Sequence, residues 1–397
     1  MFEMVDNYSQ NAIIKVIGVG GGGGNAVGTM LRDKIHGADF IIANTDAQAL
    51  RNIEGATTVQ IGNEITNGLG AGADPEKGRQ AALESKEQLQ KTIEGADMLF
   101  IAAGMGGGTG TGAAPIIAQI ARDLGILTVA VVTKPFEWEG KERMQHAELG
   151  ILNLEEWVDS LIVIPNSKLM EVFGENGSIY SQFDNADGVI TGAVKGIAEI
   201  ITITGFMNVD FADVKTVMSG KGKAMMGSAV AEGENRAEDA VNAALTCPLL
   251  DNIDLHGATG VLVNITSGDD LTPKEFELIG RKIKEIADEE ATIITGCIKE
   301  DDNLGALRVT IIATGFDEDK NINESSNTVG VAESNDIDIN KSSTSDSSTM
   351  VTPNVTQMNF NTHSSLLNTE KSVNASNDEE DDDENIDIPA FLRQQAD

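Results

Sequence analysis

Two glycine-rich strings carry the first chemical signal in this chain. IIKVIGV runs into GGGGGNAV, so Gly20 to Gly24 fall where a strand turns into a helix. Backbone without side chains can approach a phosphate closely there, with N–H groups pointing at it. Alone the string is ambiguous. Gly18, Gly20 and Gly23 also satisfy G-x-G-x-x-G, and Asp46, about twenty residues on, could act as the ribose-binding acid of a dinucleotide fold. A flexible turn is the plainest alternative. The second string, DMLFIAAGMGGGTGTGAAP, again sets glycines between a strand and a helix, from Gly104 to Gly112, and adds the hydroxyls of Thr109 and Thr111. Two such turns can grip one polyphosphate, whereas a dinucleotide fold ordinarily uses one, and no G-x-x-x-x-G-K-S/T is present.

Three further groups have chemically suggestive spacing. Glu139 and Arg143 lie four apart at the expected start of a helix and so share a face. A carboxylate there suits ribose hydroxyls and a guanidinium suits phosphate or base, although a surface ion pair has the same spacing. Phe183 and Asp187 are also four apart, at the head of another helix, where one could be core and the other an N-cap. In NVDFADV, Asn208, Asp210 and Asp213 sit at a loop-to-helix boundary. Their acids would oppose the helix dipole as a cap and first-turn residue.

The elements that must position these residues follow from hydrophobic rhythm. IIKVIGV, DFIIANTD, DMLFIAAG, ILTVAVVT and SLIVIPN alternate with helical patterns, as expected of a parallel α/β sheet. From Asp187 to Thr202, Ile190, Val194, Ile197 and Ile201 form a stripe widened by Val189, Ala193 and Ala198, the pattern of a buried central helix. Beyond it, ATGVLVNITSG and ALRVTIIATG read as strands. Thr272, Pro273 and Glu275 read as the N-cap, first turn and capping box of a helix continuing to about Glu289. The fold class is α/β: a Rossmann-like parallel-sheet nucleotide-binding domain, a central helix and a second, smaller α/β domain.

The 397 residues are 41% hydrophobic, enough for two folded units, and carry a formal net charge of -35. Such a field opposes nucleic acid and anionic lipid, and a phosphate ligand would need backbone N–H groups and a cation. Cys247 and Cys297 are far apart, with no metal-ligand or disulfide pattern. No signal-peptide pattern opens the chain and no apolar run is long enough to span a bilayer, so a cytoplasmic protein without direct membrane insertion is expected. After Phe316 the composition turns to Asn, Ser, Thr and Asp, with 18 acidic against 4 basic residues from Asp317 onward, which predicts a disordered tail. Its linker would span roughly 45 Å as a flexible coil. The tail ends in IPAFLRQQAD, where Pro389 can open a helical turn that groups Ile388, Phe391 and Leu392 as an apolar hook.

The motifs GVGGGGGNAV, NTDAQAL, GLGAGADPEKGR, GMGGGTGTGAAP, VVTKPFEWEGKERM, NVDFADV and the terminal IPAFLRQQAD occur in order across residues 12 to 316 and the last dozen. Together the set resembles the tubulin-like GTPases of bacterial cell division, the FtsZ family. The resemblance implies that GTP is held by Gly21, Gly22, Gly23, Gly24 and Asn25 of the first turn and by Gly107, Gly108, Thr109 and Gly110 of the second. It further implies nucleotide contacts from Glu139, Arg143 and Asn166, an aromatic platform for the base in Phe183, and a carboxylate for the guanine N1–H and 2-amino edge in Asp187. Asn208, Asp210 and Asp213 are implied to enter the site of the next subunit and complete hydrolysis there, the acids positioning or activating the attacking water and helping to organise the Mg²⁺, with no metal site made by the protein alone. The implied organisation is an N-terminal extension (1–11), a GTP-binding domain (12–178), a connecting helix (179–207), an activation domain (208–316), an acidic linker (317–384) and a partner-binding peptide (385–397). The implied partners are further copies, head to tail in a ring at the future septum on the inner face of the membrane, and adaptors of FtsA or ZipA type on Ile388, Pro389, Phe391 and Leu392. Gly188 and Thr204 depart from the family pattern, and Gly28 inside the first helix should cost about 1 kcal/mol relative to Ala.

Overall fold

The computed structural model describes residues 12–316 apart from 52, 174–177, 204, 206, 208, 221, 251–257, 289 and 301–304. The N-terminal extension, the acidic linker and the terminal hook expected from the sequence lie outside the described residues, and so does Asn208.

The first half of the chain contributes β1 (Ile14–Val19), α1 (Gly20–Arg32), β2 (Ala38–Asn44), β3 (Thr57–Gln60), α2 (Asn63–Thr66), α3 (Pro75–Glu84) and α4 (Lys86–Ile93). It continues with β4 (Met98–Gly104), α5 (Gly108–Asp123), β5 (Leu127–Lys134), α6 (Lys141–Glu155), β6 (Ser160–Pro165), α7 (Asn166–Phe173) and α8 (Ile179–Thr202). Then come α9 (Phe211–Met218), β7 (Lys223–Glu232), α10 (Arg236–Leu245), β8 (Gly260–Ser267), α11 (Pro273–Ile286), β9 (Thr292–Lys299) and β10 (Ala306–Thr314). The strands form one ten-stranded sheet in the order β3-β2-β1-β4-β5-β6-β7-β10-β8-β9. Its first six strands are parallel. The join to β7 rests on only two residue pairs, Leu161 with Lys223 and Ile162 with Ala224. Beyond it, β10 runs antiparallel to both β7 and β8.

Strands buried on both faces explain the continuous apolar runs of the first half. Along β4, Met98, Phe100 and Ala102 enter one core while Leu99, Ile101 and Ala103 enter the other. The first core is closed by α1 and α8, the second by α3, α4, α5 and α6. Most of the stripe read from the sequence is buried as expected, with Val194 and Ile197 fully inside and Val189 and Ile201 partly buried. However, α8 begins well before Asp187. Its N-cap is Ser178, whose hydroxyl accepts the Ser181 N–H at 3.1 Å. At 24 residues, α8 runs about 36 Å. It is tied to the C-terminal strands by Arg308 on Glu199 at 3.2 Å and by Asn264 Nδ2, which donates to Gly196 O at 3.0 Å.

The capping box at Thr272 is present, Thr272 N donating to Glu275 Oε2 at 2.8 Å and Glu275 N to Thr272 Oγ1 at 3.3 Å. The helix it starts ends at Ile286, short of Glu289. Strands β3, β7 and β9 are absent from the sequence reading. TTVQ is a four-residue edge strand, and KAMMGSAVAE and TIITGCIK are interrupted by glycine, alanine or methionine, which weaken the strand pattern.

Candidate functional site

The first glycine turn is not a loop in the ordinary sense. Strand β1 ends at Val19 and α1 begins at the next residue, so Gly20 to Gly24 are the helix's own first turn. Only Gly20 among them has positive φ, +73°, and a Cβ on it would lie 2.9 Å from Gly110 N. Gly20 is therefore where the two glycine strings meet, backbone against backbone. A Cβ on Gly23 would strike Ala102 O, so that glycine serves the packing of α1 on β4. Gly21 has open space beside it, and Gly24 abuts only the Ile42 side chain.

The second turn is similar but has a true connector. Gly106, at φ +98°, is held by the Thr111 hydroxyl, which accepts its N–H at 2.8 Å, and Gly107 opens α5. The first-turn N–H groups of α1 and α5 have no acceptor within their own helices. One exception bears on the expectation that Gly108 holds phosphate: its N–H donates to Gly72 O at 2.9 Å and is already committed. Gly108 contributes close approach instead, since a Cβ on it would lie 2.6 Å from Gly72 O. Thr109 reaches Thr45 through their hydroxyls at 2.6 Å.

Beside the first turn opens a cleft of about 710 Å³ between α1, the end of β2 and α8. Its lining includes Gly21, Gly24, Asn25 and Asp187 from the expected set. Asp187 is not an N-cap but lies inside α8. Burial, with a smaller contribution from Asp184, raises its carboxyl to a pKa of about 7, against the pull of Arg32. Arg32 and Asp184 also line the cleft and were not singled out in the sequence. The spacing of Asn25, Gly28 and Arg32 on one helical face was the available signal.

Glu139 and Arg143 do not share a helix. Glu139 ends a short 3-10 turn, Glu137–Glu139, and Gly140 at φ +104° separates it from α6. They pair nonetheless, Arg143 Nη1 to Glu139 Oε2 at 3.0 Å, while Glu139 Oε1 accepts the Phe136 N–H at 2.9 Å. This pair adjoins the second glycine turn, because a Cβ on Gly106 would lie 2.7 Å from Arg143 O. Asn166 opens α7 directly after β6 and is buried, with no hydrogen-bond partner for Oδ1 among the described residues. Phe183 is 40% exposed and meets the rings of Phe136 and Trp138.

Asp210 and Asp213 lie toward the β8–β9 end of the sheet, away from the glycine turns that follow β1 and β4; like Phe183, Asn166, Glu139 and Arg143, they are not part of the cleft lining. Both are exposed at the start of α9, which packs on β8 and β9. Asp210 occupies the N-cap position, yet its side chain makes no capping hydrogen bond. Asp46, the acid a dinucleotide fold would need, accepts the Gln48 N–H at 2.8 Å within its own turn. Among the described residues, no cluster of three acidic, histidine or cysteine side chains could hold a metal ion, and no helix is long and apolar enough to cross a membrane.

Two helix N-termini joined through glycine backbone, next to a cleft with room for a base and sugar, define a nucleotide-binding α/β protein that takes polyphosphate without a lysine-bearing loop. Residues 13–174 match the Tubulin/FtsZ family GTPase domain and residues 222–317 the FtsZ family C-terminal domain. The chain is 51% identical to the cell division protein FtsZ of Buchnera aphidicola from Acyrthosiphon pisum and 50% identical to that of Pseudomonas aeruginosa, with all of both chains covered in each case. The FtsZ dimer of M. jannaschii superposes with a TM-score of 0.74 at 43% identity, covering 78% of this chain and 89% of that one. CetZ2 of Haloferax volcanii shares the fold at 22% identity and a TM-score of 0.65, covering 77% of this chain and 94% of that one. The chain belongs to the FtsZ family. It is a GTP-binding GTPase of the tubulin-like cell-division cytoskeleton.

Proposed function

We propose that this GTPase assembles head to tail and that each catalytic site is finished by the neighbouring subunit. The observation that carries this reading is the separation of its chemistry: the glycine turns and cleft at one place, the uncapped, exposed Asp210 and the exposed Asp213 at another. A carboxylate with no local partner is available to orient a water on a second molecule. Phosphoryl transfer depends on positioning and on neutralising charge, so withholding that carboxylate until a neighbour docks ties turnover to assembly.

In this reading the first-turn N–H groups of α1 and α5, that of Gly108 excepted, receive the phosphates, and Gly21, Gly22, Gly24, Gly107 and Gly110 admit them closely, while Gly23 and Gly108 let the backbone of the two turns pack in place. Asn25 and Thr109 offer polar side chains. Glu139 and Arg143 face the sugar and phosphates, and the unpartnered Asn166 Oδ1 is an acceptor awaiting a donor. Phe183 supports the base. Asp187, a half-buried carboxylate, selects a donor edge such as guanine N1–H and its 2-amino group, which adenine lacks. Mg²⁺ would be held by phosphate oxygens and water, supplying neutralisation of the developing charge. Asn208 shares the proposed catalytic role by its place in the sequence. The terminal hook recruits membrane-tethering adaptors of FtsA or ZipA type, placing the polymer at mid-cell on the cytoplasmic face of the membrane.

Phosphate release per subunit, measured from GTP with Mg²⁺ across protein concentrations and with ATP as control, tests the reading. Turnover that rises above a threshold concentration and is selective for GTP is expected. Turnover independent of concentration would mean that each subunit carries a complete site, and the shared-site reading would fail. Removal of residues 385–397 is expected to preserve turnover and abolish adaptor binding.

A further inference from the structure

The site contains an aromatic assembly that the nucleotide contacts proposed above do not account for. Trp138 is 58% exposed, unusual for so large an apolar ring, yet it is not loose. It stacks on Phe136 with centroids 5.2 Å apart and planes 13° from parallel. Phe136 is itself buried, 1% exposed. Phe183 meets both rings edge-on, at 5.4 Å and 88° to Phe136 and at 6.1 Å and 86° to Trp138. These are the favourable geometries of aromatic pairs. Phe183 therefore rests on a two-ring shelf anchored in the core.

The shelf is fixed by backbone. Phe136 lies just past the end of β5, and its N–H is held by Glu139, whose other oxygen holds Arg143. The 3-10 turn between them sets Trp138 over Phe136 and Glu139 toward Arg143. One short segment thus presents a ring to α8 and an ion pair to the second glycine turn. Without the shelf, Phe183 would sit on an exposed stretch of α8 beside Ile179 and Tyr180, themselves 63% and 83% exposed, with its rotamers unrestrained.

We propose that Trp138 is a positioning residue for the nucleotide base: stacked on Phe136, it holds Phe183 in the orientation from which Phe183 supports the base. This rests on the reading of Phe183 as the base platform. The effect is one of pre-organisation, so it belongs to binding and appears in KM rather than kcat.

Equilibrium binding of GDP to the full-length protein, at concentrations below the assembly threshold so that no subunit interface contributes, separates the possibilities. Trp138→Ala is expected to weaken GDP binding about two- to tenfold, the loss of one aromatic pair. Trp138→Phe, which keeps a stacked ring, should restore most of it. In the Trp138→Ala/Phe183→Ala double variant, binding should be no weaker than in Phe183→Ala alone, because Trp138 acts only through Phe183. Unchanged GDP binding in Trp138→Ala, or losses that multiply in the double variant, would overturn the inference while leaving the platform reading intact. If Phe183→Ala itself binds GDP normally, the platform reading fails and the inference fails with it.

Discussion

The hydroxyls of Thr45 and Thr109 lie 2.6 Å apart, joining the end of β2 to the first turn of α5. Thr45 Oγ1 also accepts the N–H of Ala71, a buried residue, at 3.0 Å. One hydroxyl thus ties the segment that follows α2 to the helix whose N-terminus opens the second glycine turn. Thr45→Val keeps the shape but leaves the Ala71 N–H without its acceptor, which should cost about 1–3 kcal/mol. Urea denaturation would read that loss. Weaker GTP binding should accompany it, since Thr109 loses its anchor; a variant that is less stable yet binds GTP normally would show that the tie serves folding alone.

Asp187 makes stability and binding depend on pH in opposite senses. Its folded pKa, about 7, lies above the ordinary carboxylate value near 3.9. The proton it retains therefore stabilises the fold fully below about pH 4, and that contribution is lost as the pH rises through about 7. Asp187→Asn cannot ionise, so it should be more stable than the parent at pH 8 by about 1–2 kcal/mol after allowance for partial exposure, with the difference fading toward pH 4. GTP binding should move the other way. The parent should weaken as the pH falls from 8 to 6, and Asp187→Asn should bind poorly throughout, because an amide presents one acceptor where the carboxylate presents two. Identical denaturation curves for the two proteins at pH 8 would refute the burial argument.

The sequence disclosed what depends on composition and period. Five parallel strands, the buried stripe of α8 and the Thr272 capping box follow from local pattern, and the structure contains each. What it concealed depends on tertiary contact. That Gly23 serves helix packing follows only from the position of Ala102 on a neighbouring strand, and that the Gly108 N–H is taken follows only from the approach of Gly72. The i,i+4 spacing of Glu139 and Arg143 suggested a helix, yet Gly140 breaks it and the pair forms across the break. Phe136 and Trp138 could have been noticed as aromatic residues crowding the end of a strand beside the expected contacts, but their partner Phe183 is remote in sequence.

Gly28 and Gly188 offer a matched pair. Both lie inside helices, α1 and α8, and a Cβ on either would meet nothing within 4 Å. Alanine at each should raise stability by about 0.5–1 kcal/mol, by restricting the unfolded chain and favouring the helix. They differ in surroundings, since Gly28 lines the cleft and Gly188 does not. Gly188→Ala should leave GTP binding unchanged. Gly28→Ala places a methyl group at the cleft wall and should weaken it if the nucleotide fills that end, which gives the missing side chain a purpose that helix propensity alone does not. Calorimetric melting of the two variants, with and without GDP, separates the contributions.

Asp210 and Asp213 provide the sharpest division between fold and catalysis. A working N-cap replaced by alanine costs about 1 kcal/mol. Asp210 makes no such bond, so Asp210→Ala should cost less than that, and Asp213, exposed in the first turn, should cost no more than its modest dipole contribution. Both variants should therefore fold, bind GTP with parental affinity and sediment as polymer. Phosphate release should nonetheless fall by a factor of a hundred or more, on the order of the loss from removing a general acid or base. Mixing supplies the decisive control. Asp213→Ala protein combined with a variant defective only in GTP binding should regain turnover, because an intact cleft on one subunit then meets an intact acidic turn on the other. Full activity of Asp213→Ala alone, or failure of every mixing ratio to restore any turnover while the two proteins still co-polymerise, would show that the acids of α9 do not act across the subunit boundary.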